Sequence, residues 1–162
     1  MKILALDSSS LVASVAVVTD AVLTAEYTIN FKKTHSQTLL PMIDEVAKMI
    51  ELDLDTIDAV AVAAGPGSFT GLRIGSATAK GLGLALEKPL IGVPTIDAMA
   101  YGLFGCADLV VPIMDAKREQ IYTGIYRFLA QDGASRMEPL CPECEMGIAG
   151  LFAEVNERGE RG

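Results

Sequence analysis

Apolar residues fall in short blocks along the early part of the chain, and the spacing inside each block predicts its element. Residues 2–7 form an aliphatic, β-branched run ending in an acid and three serines, a buried strand entering a turn. Residues 12–19 and 22–30 also have strand character, and only Asp20 and Ala21 separate them, which predicts a tight hairpin. Thr34-His35-Ser36-Gln37 has capping-box spacing ahead of Leu39, Leu40, Ile43, Val46, Ala47 and Ile50 at helical period. Pro41 either opens that helix or kinks it. Residues 57–64 are nearly all apolar, as in a strand covered on both faces. The glycine-rich turn at 65–71 then feeds a long helix capped by Ser68 or Thr70. Residues 90–93 predict a short strand, and 95–105 a helix closing on glycine. The order β-β-β-α-β-α-β-α predicts a mixed sheet flanked by helices, an α/β domain.

A weaker pattern follows. VVPIMDAKREQIYTGIYR, residues 110–127, overlays ILALDSSSLVASVAVVT without a gap. Asp115 then falls on Asp7, and residues 122–126 on 14–18. Either any strand–turn–strand resembles any other, or a second domain of the same kind opens near Val110. On the second reading the domains are 1–108 and 109–162, and the shorter one is expected to be incomplete. Its last part is rich in Glu, Gly and Arg with weak periodicity.

Composition narrows the function classes. Of 162 residues, 51% are hydrophobic and 21% charged, which excludes a disordered chain. Thirteen basic against twenty-one acidic side chains leave a net charge of −8, so this chain alone is not expected to bind nucleic acid tightly. Three cysteines are too few for a disulfide scaffold and suit a reducing compartment. The N-terminus lacks the long apolar core and cleavage site of a signal peptide. The stretch 69–86 contains Arg73, Lys80 and glycines, so it reads as a packed helix. A cytoplasmic protein without a membrane partner is expected.

Candidate chemistry is sparse. Amides of the 65–71 turn could hold a phosphate, but no Walker Gly-Lys-Ser/Thr occurs, and Thr70 stands where a Rossmann third glycine belongs. A structural turn is the stronger reading. Gly71, Gly75, Ala79 and Gly83 recur every fourth position and form one ridge. Each interior glycine costs about 0.5–1 kcal/mol relative to alanine. Close approach offsets that cost, either within the domain or across a subunit boundary. Asp7 with Ser8, Ser9 and Ser10 could hold a magnesium-bound phosphate, though an Asp/Ser turn capping its own backbone is favoured. His35 is the only histidine, without HExxH, HxxxH or GxSxG, and suits a hydrogen-bonding role near the helix start. Cys141-Pro142-Glu143-Cys144 is a lone CxxC, with Cys106 and His35 far away in sequence. It sits in a weakly patterned tail, so neither a metal nor a redox role is expected.

ILALDSSS, THSQTLLPMID, GPGSFTGLRIG, AKGLGLALEKPLIGV and MDAKREQIYTGIY, in that order, resemble the bacterial TsaB family, also called YeaZ. The resemblance runs to about Phe128. It implies an actin-like (ribonuclease H-like) fold of two similar domains. It also implies a cytoplasmic, non-catalytic scaffold in the machinery that places threonylcarbamoyl on the N6 of the tRNA adenosine beside the anticodon, giving t6A. In that machinery the paralogue TsaD makes the transfer and carries the metal, and TsaE joins the assembly. This chain would then bind no cofactor alone: ATP and a divalent metal belong to the partners, and tRNA is met only through the complex. A homodimer is a further form. The family's partner interface carries over to Leu39, Leu40 and Ile43 on one helix. On the next helix it carries over to Phe69, Leu72, Arg73, Gly75, Ser76, Ala79, Lys80 and Gly83. Asp7, Ser8 and Ser9 match the superfamily's first phosphate loop only weakly; the alternative function is a small ATPase or phosphotransferase using Asp7. The single histidine argues against the peptidase label some relatives have carried. Family members are longer, so the C-terminus is expected to be short.

Overall fold

The computed structural model describes residues 1–30, 35–131 and 134–159. It divides into two compact units, Met1–Thr95 and Ile96–Gly162, earlier in the chain than the 108/109 boundary read from the sequence.

In the first unit, β1 (Lys2–Asp7), β2 (Ala13–Thr19) and β3 (Val22–Ile29) precede α1 (His35–Met49). A 3-10 turn (Leu54–Thr56), β4 (Ala59–Gly65), α2 (Phe69–Ala85) and β5 (Leu90–Pro94) follow. The sheet order is β3-β2-β1-β4-β5. The β1–β2 and β2–β3 pairs are antiparallel, β1–β4 and β4–β5 parallel. Register sets the core. Leu4 lies opposite Val17 and Val60, and Leu6 opposite Val15 and Val62, so these side chains share one face. Leu39, Met42, Ile43 and Val46 of α1 and Ala79 of α2 pack into the same cluster. Each of these larger side chains contributes about 1.5–3 kcal/mol when fully buried.

Asp20 and Ala21 both adopt positive φ (49° and 67°), the geometry of a two-residue primed turn reached without glycine. Asp20 is tied twice to the first residue of the chain: its N–H donates to Met1 O (2.8 Å), and the terminal ammonium donates to its carboxylate. Pro41 lies inside α1 and so deprives the helix of one N–H without ending it. The capping box at Thr34 lies outside the described residues, but His35 Nε2 meets Ser10 O at 2.8 Å and anchors the start of the helix. Ser68, not Thr70, caps α2: its Oγ accepts from Gly71 N–H at 3.2 Å.

The second unit holds α3 (Thr95–Tyr101) from its second residue on, β6 (Leu109–Val110), β7 (Ile113–Lys117), β8 (Gln120–Gln131), β9 (Ala134–Gly147) and α4 (Ile148–Gly159). The helix expected over 95–105 ends at Tyr101. Beyond it come single turns, with Leu103 N–H donating to Ala100 O and Phe104 N–H to Tyr101 O. Tyr101 and Phe104 instead pack edge-on to Phe128 of β8, with ring centroids 5.6 and 5.1 Å away. β8 is antiparallel to β6 and β7 on one side and to β9 on the other. The weakly patterned tail is therefore a fourteen-residue strand and a helix.

The echo between Asp7 and Asp115 has a physical content. Asp7 Oδ1 accepts from Ser9 N–H and Asp115 Oδ1 from Lys117 N–H, both at 2.7 Å, the same two-residue Asx turn. The registers differ, since Asp7 pairs with Ser14 but Asp115 with Ile121.

Candidate partner-docking surface

The residues singled out on α2 separate onto two faces. Gly71, Gly75, Ala79 and Gly83 are its buried positions. A Cβ at Gly71 would stand 2.0 Å from Ser8 O, and one at Gly75 would stand 2.5 Å from Ser8 Oγ. At Gly83 the same atom would meet Leu90 at 2.7 Å. Ala79 is fully buried in the core cluster. The ridge therefore lets α2 settle on its own β1 and β5 within the first unit, and the expectation that Gly75, Ala79 and Gly83 face a partner is corrected. Leu39 and Ile43 of α1, at 1% and 3% exposure, likewise belong to the core.

The β1 loop is engaged by the same contact. Ser8 Oγ donates to Gly71 O (2.9 Å), and Ser68 N–H donates to Ser9 O (2.6 Å). Ser8 and Ser9 are buried, and Asp7 is exposed with Oδ1 accepting from Ser9 N–H. The turn that could have cradled phosphate is thus packed against the loop that could have shared it, and the hydroxyl of Ser8 is already bonded.

The opposite face of α2 is open. Phe69, Arg73, Ser76, Lys80 and Leu84 follow at three- and four-residue intervals and form one row. Phe69 is 69% exposed and Leu84 84%. The Arg73 guanidinium lies 3.9 Å from the Phe69 ring centroid, which holds a flat apolar–cationic surface in place. α2 contains Arg73 and Lys80 and no acid, although the whole chain carries −8. Leu72, Arg73, Ser76 and Lys80 also border a groove of ≈ 690 Å³ against Val62, Leu90 and Gly92. A second groove of ≈ 580 Å³ runs beside α1 and is bordered by Leu40, Ile43, Ala47 and Leu82, with Asp44 and Glu51 at its rim. Leu40 itself is exposed. Of the interface residues read from sequence, the structure thus brings Phe69, Leu72, Arg73, Ser76 and Lys80 together and leaves Leu40 on α1. Leu84, exposed four residues after Lys80, extends the row and was not singled out from the sequence.

The second unit holds its own polar cluster. Tyr126 Oη donates to Asp97 Oδ1 at 2.7 Å, and burial first, then this bond, pushes the phenol above its ordinary range. The Glu143 carboxyl is raised by burial, although it accepts from the backbone of Ile96. Among the described residues no three His, Cys, Asp or Glu side chains group as metal ligands, and no helix is long and apolar enough to cross a membrane.

A mixed sheet in the order β3-β2-β1-β4-β5, with α1 and α2 packed on the face that buries Leu4 and Leu6, defines an actin-like α/β protein. A family model described as TsaD: tRNA N6-adenosine threonylcarbamoyltransferase matches residues 23–146. The chain is 34% identical over 158 residues to the tRNA threonylcarbamoyladenosine biosynthesis protein TsaB of Bacillus subtilis, covering 98% of this chain and 67% of that one. It is 37% identical over 129 residues to the Escherichia coli protein of the same name, covering 78% and 55%. The solved structure of YeaZ from Pseudomonas aeruginosa superimposes with a TM-score of 0.78 at 31% identity, over 90% of this chain and 67% of that one. The chain belongs to the TsaB (YeaZ) family. It spans between about half and two thirds of the length of these relatives.

Proposed function

We propose that this protein is a non-catalytic scaffold subunit in threonylcarbamoyl-adenosine biosynthesis on tRNA, working in the cytoplasm. It docks on TsaD, in an assembly that TsaE joins, and meets tRNA only through that assembly. The pathway is supported by the names of the TsaB relatives. The observation that carries docking is the open row Phe69–Arg73–Ser76–Lys80–Leu84 beside an apolar-lined groove. Exposed apolar side chains rimmed by charge mark interaction surfaces, and aromatic and Arg anchors dominate their energetics. The two cations on α2 favour an acidic or apolar counter-surface on the partner.

The proposal assigns the chain no nucleotide, no metal and no peptidase activity of its own; the engaged β1 loop supports this for Asp7, Ser8 and Ser9. Sedimentation of the chain with TsaD tests the docking. Phe69→Ala combined with Leu84→Asp is expected to weaken the complex at least tenfold while leaving the circular dichroism spectrum native. Undiminished association of that folded variant would refute docking through α2. Calorimetric titration with Mg-ATP tests the rival reading: saturable binding by the chain alone would favour an Asp7-based ATPase.

A further inference from the structure

β9 brings together two nucleophilic side chains away from the open row of α2. The Sγ atoms of Cys141 and Cys144 lie 3.9 Å apart, and both thiols are free. On a regular strand, residues three apart point to opposite faces. Here the ladder shifts: Cys141 pairs with Ile125 and Cys144 with Thr123, so three steps along β9 match two along β8. That bulge turns both thiols to the side carrying Thr123 and Ile125. There Cys141 packs against the cluster of Ile121, Ile125 and Leu151 of α4. Glu143 turns instead toward the Ile96 backbone, from which its carboxylate accepts, while both cysteines stay half-buried at the sheet surface. With no third metal-ligating side chain grouped beside them among the described residues, the chemistry left to the pair is that of two thiols.

We propose that Cys141 and Cys144 form a reversible dithiol–disulfide site whose co-reactant is a small-molecule disulfide of the glutathione class. One cysteine thiolate attacks a sulfur of the external disulfide, forming a mixed disulfide and expelling one thiolate, which takes up a proton. The other cysteine thiolate then attacks the protein sulfur of that mixed disulfide and expels the second thiolate, which is likewise protonated. Two protein thiols are oxidised to one disulfide, one external disulfide is reduced to two thiols, and the two protons balance. The sulfurs need only close from 3.9 Å to about 2.05 Å. The bond would span the bulge and pin the β8–β9 register beside α4.

The test incubates the full chain in reduced and oxidised glutathione, quenches by acid and alkylation, and maps linkages by mass spectrometry. The expected product has lost two hydrogens, contains a Cys141–Cys144 cross-link, and leaves Cys106 alkylated. The linking constant should be about tenfold larger in the folded chain than in the urea-unfolded chain, equivalent to about 30 mV. Cys144→Ser should instead accumulate a glutathione adduct at Cys141. Stable adducts on both cysteines without a cross-link, or a constant no larger in the folded chain, would overturn the proposal.

Discussion

Adding one methyl group to α2 should have opposite effects at two of its glycines. Gly71→Ala places a Cβ 2.0 Å from the Ser8 carbonyl oxygen, more than an ångström inside ordinary contact. The obstructing atom is backbone, so no side chain can swing away. Relief requires α2 and the β1 loop to separate, which stretches Ser8 Oγ–Gly71 O and Ser68 N–Ser9 O, now 2.9 and 2.6 Å. Overpacking of this kind costs about 1–3 kcal/mol, and each weakened hydrogen bond about 1 kcal/mol. The gain in helix propensity returns only about 0.5–1 kcal/mol. Net destabilisation of about 2–3 kcal/mol is expected, lowering the urea midpoint by about 1 M for a typical slope. Gly81 is exposed, and a Cβ there meets nothing within 4 Å. Gly81→Ala should therefore stabilise by about 0.5–1 kcal/mol. Urea unfolding followed by far-ultraviolet circular dichroism reads both. A Gly71→Ala midpoint at or above that of the unaltered chain would refute the claim that the glycine ridge packs on β1.

Other consequences are local. Ser68→Ala removes the cap accepting from Gly71 N–H and should cost about 1 kcal/mol in the same unfolding assay. Ala21→Gly relieves a non-glycine residue at φ 67° and should raise the melting temperature, with a gain of up to about 1 kcal/mol. Tyr126 holds its proton more tightly folded than unfolded, so its contribution is complete below pH 10.0 and is lost as pH rises toward the folded-state value. Tyr126→Phe should abolish the latest step of the ultraviolet phenolate titration and flatten the alkaline loss of stability.

Strands β1 and β2 and both long helices were legible because their burial follows simple periods. Leu4 and Leu6 alternate into the core, as do Val15 and Val17, and Leu39, Met42, Ile43 and Val46 recur at helical spacing. β9 was not legible. Its sequence carries Pro139, Pro142, Glu138, Glu143 and Glu145 with no apolar alternation, and its conformation is set by pairing with β8. The thiol contact was hidden for the same reason, since the bulge that creates it depends on the partner strand. On α2 the small-residue ridge was visible, but its direction was not: a row of glycines announces close approach without saying to what. The contact with Ser8 decides that, and it leaves the row from Phe69 to Leu84 as the open face of α2.

The most direct test of the central claim is mass spectrometry of tRNA nucleosides from source cells depleted of this protein and resupplied with defined variants. The account predicts that threonylcarbamoyl-adenosine falls on depletion and returns with the unaltered chain. It should stay low with Phe69→Ala/Leu84→Asp expressed to the same level. A normal nucleoside level after depletion would contradict the pathway, and full rescue by the double variant would contradict docking through α2.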